Sequence, residues 1–109
     1  MRRDDVALRD IANTALLIAQ FIQGLDKSAF DLDWETRSAV LYQLTVIGEA
    51  TKRLSAAFRA QHAEVPWALM AGMRDRLIHG YDLTDWDEVW KSARDDVPRV
   101  LSRVQALLS

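Results

Sequence analysis

From Arg3 to about Leu25, apolar residues fall at Ala7, Ile11, Ala15, Ile18, Ile22 and Leu25. Steps of three and four put them on one side of a helix, and Gly24 is a natural stop. The stretch "DKSAFDLD" that follows reads as a polar connector able to carry a short turn. A second pattern begins at Trp34, with Asp33 placed to cap it, and runs to about Gln61 through Val40, Leu44, Ile47, Thr51, Leu54 and Phe58. That spacing predicts one long helix of about seven turns. Gly48 falls inside it, where Gly costs about 1 kcal/mol relative to Ala. Close approach of a neighbouring helix would account for its presence.

The stretch "HAEVPW" then breaks the pattern, and Pro66 suits the first turn of a third helix because its missing N–H is not needed there. This helix is predicted over Trp67 to His79, with Gly80 as its C-terminal cap. After "DLT", Asp85 followed three residues later by Glu88 resembles a capping box. It opens a fourth apolar face at Trp86, Val89, Ala93, Val97, Val100, Val104 and Leu107. Pro98 should kink or split that helix, since it removes a backbone donor and crowds the preceding turn. No segment alternates with period two, and there is no repeat, linker or low-complexity tract. The expectation is a single all-α domain spanning residues 1–109, an up-and-down four-helix bundle with its last helix kinked or split near Pro98.

Composition narrows the possible chemistry. Half the residues are apolar and 28% charged, a globular balance, while four Gly and two Pro are too few for a turn-rich all-β chain. Cysteine is absent, which excludes disulfides and thiolate chemistry and fits a cytoplasmic setting. The apolar run Ala15 to Ala19 is far too short for a bilayer, and "MRRDDVALRD" carries acids where a signal peptide needs an apolar core. No membrane association is therefore expected. The net charge of −2, from 14 basic and 16 acidic residues, gives no whole-molecule attraction for nucleic acid. Basic groups serving RNA or DNA would have to be gathered locally, for example across a subunit interface. Of the four Trp, most are expected in the core and some in an interface.

The densest chemistry lies in "MRDRLIHGYD", residues 73–82. On a straight helix Trp67, Met70, Arg74, Leu77 and Tyr81 share a face, so Arg74 occupies an apolar slot. A guanidinium there requires a partner, and Glu49 beside Gly48 is the expected one. His79 alone would suit a helix C-terminus, and Tyr81 alone would be a half-buried aromatic. Asp75 and Arg76 read as solvated charges. Together, Arg74 and His79 supply what a metal-free ribonuclease needs. His79 can take the proton of a ribose 2′-hydroxyl, and Arg74 can stabilise charge growing on the attacked phosphate. Five residues apart on a straight helix, the two side chains diverge by about 140°. A distorted helix end, an Arg74 that reaches around, or a second subunit would be needed to bring them to one phosphate. The two histidines, His62 and His79, stand 17 residues apart without cysteine, poor material for a zinc site. No Gly-rich phosphate loop follows a strand. No cofactor is expected.

"RDRLIHGY" resembles the Arg-x4-His-x-Tyr motif of HepT-like toxins, a branch of the HEPN-domain ribonucleases. "VIGEATKRLS" (Val46 to Ser55), "VPWALMAGMRDRLIHGY" (Val65 to Tyr81) and the "VW" and "DDVP" of the last helix extend the similarity over nearly the whole chain. The resemblance implies a helical homodimer that cleaves RNA without a metal, with Arg74 and His79 catalytic. It implies a nucleotidyltransferase antitoxin as partner, which transfers AMP from ATP onto Tyr81 and silences the nuclease. Glu49, Asp75, Arg76 and Gly80 would support the site. The alternative is a non-catalytic helical module that binds and positions a partner nucleotidyltransferase.

Overall fold

The computed structural model of the chain describes residues 3–79 and 83–109. They form an all-α fold whose centre is α1 (Arg3–Ile22). This helix buries Ala7, Leu8, Ile11, Ala12, Ala15 and Ile18, much of the apolar stripe read from the sequence, between α3 (Trp34–Lys52) and α8 (Val97–Leu108). It ends where Gly24 takes a positive φ of 78°, a conformation Gly adopts without penalty.

The connector "DKSAFDLD" holds a full helix, α2 (Lys27–Leu32), in place of the expected turn. Asp26 caps it by accepting the Ala29 N–H at 2.8 Å. Phe30 is its anchor, fully buried with its ring centroid 4.9 Å from that of Trp90. Asp33 then caps α3, accepting the Thr36 N–H at 3.0 Å and the Thr36 hydroxyl at 2.7 Å. These bonds, the hydroxyl's first, hold the Asp33 carboxyl below its usual range.

The long second helix divides. After α3 ends at Lys52 the chain turns at Arg53 and Leu54, and α4 (Ala56–Gln61) begins. Ser55 is the reason. Its hydroxyl accepts the Phe58 N–H at 3.1 Å as an N-cap, and the Asp4 carboxylate accepts both the Ser55 N–H and hydroxyl at 2.8 Å. A cap of this kind is worth about 1 kcal/mol, and here it also ties the break to the start of α1. The apolar stripe continues across the turn because Leu54 stays buried.

The third helix divides as well, into α5 (Trp67–Ala71) and α6 (Met73–Leu77), which pack on α3. Gly48 permits the approach. A Cβ at that position would stand 3.2 Å from the Met70 carbonyl oxygen and 3.5 Å from that of Ala71. The close contact expected from the sequence is therefore backbone against helix.

The last rod comprises α7 (Trp86–Lys91), a π turn over Ser92–Asp96, and α8. The Val97 N–H reaches back five residues to the Ser92 carbonyl, and Pro98 follows immediately in the first turn of α8. A proline ring collides with the carbonyl four residues before it in a regular helix. The expected disturbance at Pro98 is thus met by a wide turn just ahead of it. Val97, Val100 and Val104 face the core. Four helical rods survive in outline only, since three of the four are interrupted or preceded by short helices. Among the described residues, no helix is long and apolar enough to cross a membrane.

Candidate active site

The motif helix ends earlier than its sequence pattern suggests. Ile78 has extended backbone angles (φ −114°, ψ 112°), so α6 stops at Leu77. Ile78 then forms an antiparallel bridge with Thr84. The His79 N–H donates to the Leu83 carbonyl at 2.6 Å, and the Asp85 N–H donates to the Leu77 carbonyl at 2.8 Å. The motif therefore passes from a short helix into a small hairpin-like clamp. His79 sits on that clamp and not in a last helical turn, and the 140° divergence expected of a straight helix no longer applies.

The His79 imidazole is 56% exposed, and its Nε2 lies 3.9 Å from Asp85 Oδ2. Asp85 is held from two further directions. Its Oδ1 accepts the Glu88 N–H at 3.1 Å, capping α7, while its own N–H is tied to Leu77. Sequence reading recognised the cap and missed the second role. The carboxylate follows its histidine by six positions, and only the bridge between Ile78 and Thr84 turns that separation into proximity.

Arg74 is not in an apolar slot. The interruption at Gly72 resets the buried face of α6, which Met73 and Leu77 occupy, and leaves the Arg74 side chain 58% exposed. Among the described residues its carboxylate neighbour is Asp75, 3.9 Å from Nη1. The expected pairing with Glu49 does not occur. Glu49 is exposed on α3 and lies 3.6 Å from Lys52. Asp75 is exposed as expected.

Arg76 departs from expectation in the other direction. It is half-buried, its Nη2 donates to the buried Ser92 hydroxyl at 3.4 Å, and it stands 3.9 Å from Asp96. Its Nε is buried without an acceptor. Arg76 thus ties the motif helix to the π turn. His62 is half-buried with its ring 4.5 Å from Phe58, and its carbonyl accepts the Trp67 indole N–H at 2.9 Å. Gly80 and Tyr81, the expected cap and AMP acceptor, lie outside the described residues.

This arrangement offers a guanidinium free to take a second partner and an accessible imidazole with a fixed carboxylate behind it. Such a pair can move a proton and meet a phosphate. Among the described residues, no group of three or more His, Asp or Glu is placed to hold a metal ion.

The chain is 38% identical over 100 residues to a protein of Thermococcus cleftensis described as a probable ribonuclease HepT, covering 92% of this chain and 91% of that one. It is 35% identical over 98 residues to a candidate RNase of Methanocaldococcus jannaschii, covering 90% of each. A candidate RNase of Caldanaerobacter subterraneus subsp. tengcongensis is 32% identical over 101 residues, 93% of this chain and 90% of the relative. No solved structure matches the chain. Residues 11–107 match the family described as "Ribonuclease HepT-like", a span that contains the whole motif. The chain belongs to the HepT-like ribonuclease family.

Proposed function

We propose that this protein is the toxin of a toxin–antitoxin pair, a metal-independent endoribonuclease in which His79 moves protons and Arg74 stabilises the phosphate. The observation that carries the reading is the His79–Asp85 pair. An imidazole is presented to solvent on a backbone clamp, with a carboxylate 3.9 Å behind one nitrogen. Among the described residues its other nitrogen has no hydrogen-bond partner and would meet the substrate. In the reaction, His79 accepts the proton of the ribose 2′-hydroxyl. The hydroxyl oxygen attacks the adjacent phosphorus, and the bond to the 5′-oxygen breaks with return of a proton to the leaving group. Arg74 meets the charge that develops on the phosphoryl oxygens. Asp85 is a positioning residue that acts through His79.

The same reading assigns silencing to Tyr81. Its phenolic oxygen would attack the α-phosphorus of ATP on a partner nucleotidyltransferase, losing its proton and releasing pyrophosphate. The attached AMP would repel RNA phosphates beside the site. A homodimer would bring two motifs to one cleft and gather the cations that an acidic monomer spreads thinly.

The test is an RNA cleavage assay in EDTA with wild type and His79→Ala, each with and without the partner and ATP. Wild type should cut, His79→Ala should not, and partner plus ATP should stop wild type but not Tyr81→Phe. Equal cutting by His79→Ala would remove the catalytic assignment and favour a non-catalytic module that positions the nucleotidyltransferase. An adenylyl group found by mass spectrometry on a residue other than Tyr81 would remove the silencing assignment.

A further inference from the structure

Helix α3 opens with an aromatic residue that the core does not use. Trp34 is 62% exposed, whereas Trp67 and Trp90 are buried and Trp86 is half-buried. One turn along α3, the Arg37 guanidinium carbon lies 4.6 Å from the ring centroid of Trp34 and 4.6 Å from that of Trp86. The two indoles are 6.0 Å apart and inclined at 57°, so the guanidinium occupies the notch between them.

Arg37 has no carboxylate within ion-pair distance among the described residues, and its Nε is buried without an acceptor. Nearby acids are otherwise engaged. Asp33 is bound by Thr36, and Asp31 and Asp87 both hold the Lys27 ammonium, at 2.7 and 2.8 Å. Those two carboxylates, Asp31 first, raise the Lys27 pKa above its ordinary value. Glu35 is left as the exposed carboxylate next to Trp34. Among the described residues the notch therefore keeps a cation without a carboxylate partner and a broad aromatic face in a chain of net charge −2.

Its place in the fold connects it to the candidate active site. Trp86 directly follows Asp85, whose carboxylate faces His79. We propose that Trp34 and Arg37 form a stacking subsite for an unpaired base of the RNA substrate, next to the phosphate cleaved at His79. This rests on the reading of the chain as a ribonuclease. A nucleobase stacks on an indole whatever its sequence, and Arg adds cation–π attraction together with donors for a phosphate or base edge. Arg37 braces the Trp34 ring, so the platform is ordered before RNA arrives. A second copy of this chain could also cover an exposed tryptophan. The unpaired cation beside it and the continuity with the His79 clamp favour a nucleotide.

The experiment titrates a short single-stranded oligoadenylate into His79→Ala protein, which should leave it uncut, and follows tryptophan fluorescence and affinity. Trp34→Ala in that background should weaken binding by roughly tenfold and remove most of the quenching. Trp34→Phe should retain most of the affinity, and Arg37→Ala should weaken it by several-fold. With catalysis intact, Trp34→Ala should raise KM for RNA. Affinity unchanged in both Trp34→Ala and Arg37→Ala would overturn the subsite, as would unchanged affinity with a lowered mass in solution, which marks a self-association surface. If wild type cuts RNA in EDTA while the Trp34 variants bind and cut equally, the subsite alone fails. If wild type neither binds nor cuts RNA, the ribonuclease reading fails with it.

Discussion

Asp85 serves two partners with one carboxylate: Oδ1 accepts the Glu88 N–H at 3.1 Å, and Oδ2 lies 3.9 Å from His79 Nε2. The second distance is too long for a hydrogen bond but within ion-pair range. Catalytic contacts of this kind commonly tighten when substrate binds. Asparagine caps helices as well as aspartate does, so Asp85→Asn separates the two roles. It should fold with an unchanged thermal midpoint and slow RNA cleavage by about tenfold at unchanged KM. Asp85→Ala should show the same kinetic loss and also cost about 1 kcal/mol of stability. Wild-type turnover in Asp85→Asn would leave the carboxylate as a cap only.

Arg74 offers the opposite contrast between stability and activity. Its side chain is exposed and, among the described residues, its one carboxylate neighbour is 3.9 Å away. Arg74→Ala should therefore change unfolding free energy by no more than about 0.5 kcal/mol. Its cleavage rate should fall by about a hundredfold, as for loss of a group that stabilises transition-state charge. Denaturant melts and single-turnover cleavage measure the two effects. If the site is shared across a dimer, mixing Arg74→Ala with His79→Ala protein should restore part of the lost activity.

Gly48 governs how closely the motif-bearing segment seats on α3. A side chain there would press on the Met70 carbonyl oxygen, 3.2 Å from the added Cβ, and on that of Ala71. Gly48→Val should destabilise the fold by about 1–3 kcal/mol, the usual cost of overpacking. The displaced α5 and α6 should also weaken cleavage although no catalytic group is changed. Urea midpoints at unchanged slope, with cleavage assayed well below the midpoint, would show both.

Asp33 sets a pH dependence. Its carboxyl is lowered from its ordinary value by the Thr36 hydroxyl and N–H, so the folded state favours the ionised form. The stabilisation is complete above the unfolded pKa, about 3.9, and is lost as pH falls through the lower folded value. Below about pH 4, wild type should lose thermal stability more steeply than Asp33→Asn, with the two converging in strong acid. Parallel curves would show that the cap is insensitive to charge.

Helix type, most apolar faces and two of the four side-chain caps among the described residues were legible in the sequence, because period, Asp33 and Asp85 are local signals. Breaks within helices were less so. Ser55 looks like any serine in a helix until Asp4, far away in sequence, is seen to bind it. At Gly72 the third helix breaks, and the change of register there moves Met73 inward and Arg74 outward. The Arg74–Glu49 pairing failed for that reason. The candidate site was legible as a motif and a family resemblance, whereas Asp85 was hidden behind a backbone bridge that no spacing rule describes. Arg76 was hidden too, because its partners belong to a π turn that Pro98 signalled only as a disturbance.

That π turn has a consequence for chain length. Its backbone ring spans five residues from Ser92 to Val97 where an α turn spans four. Closing it to α geometry would shorten the chain by one residue while α7 and α8 kept their seats on the core. Residues 92–96 are thus where the fold can lose a residue without slipping register once Pro98, whose ring needs the wide turn, is replaced as well. Arg76, which leans on Ser92 and Asp96, is the group that would notice.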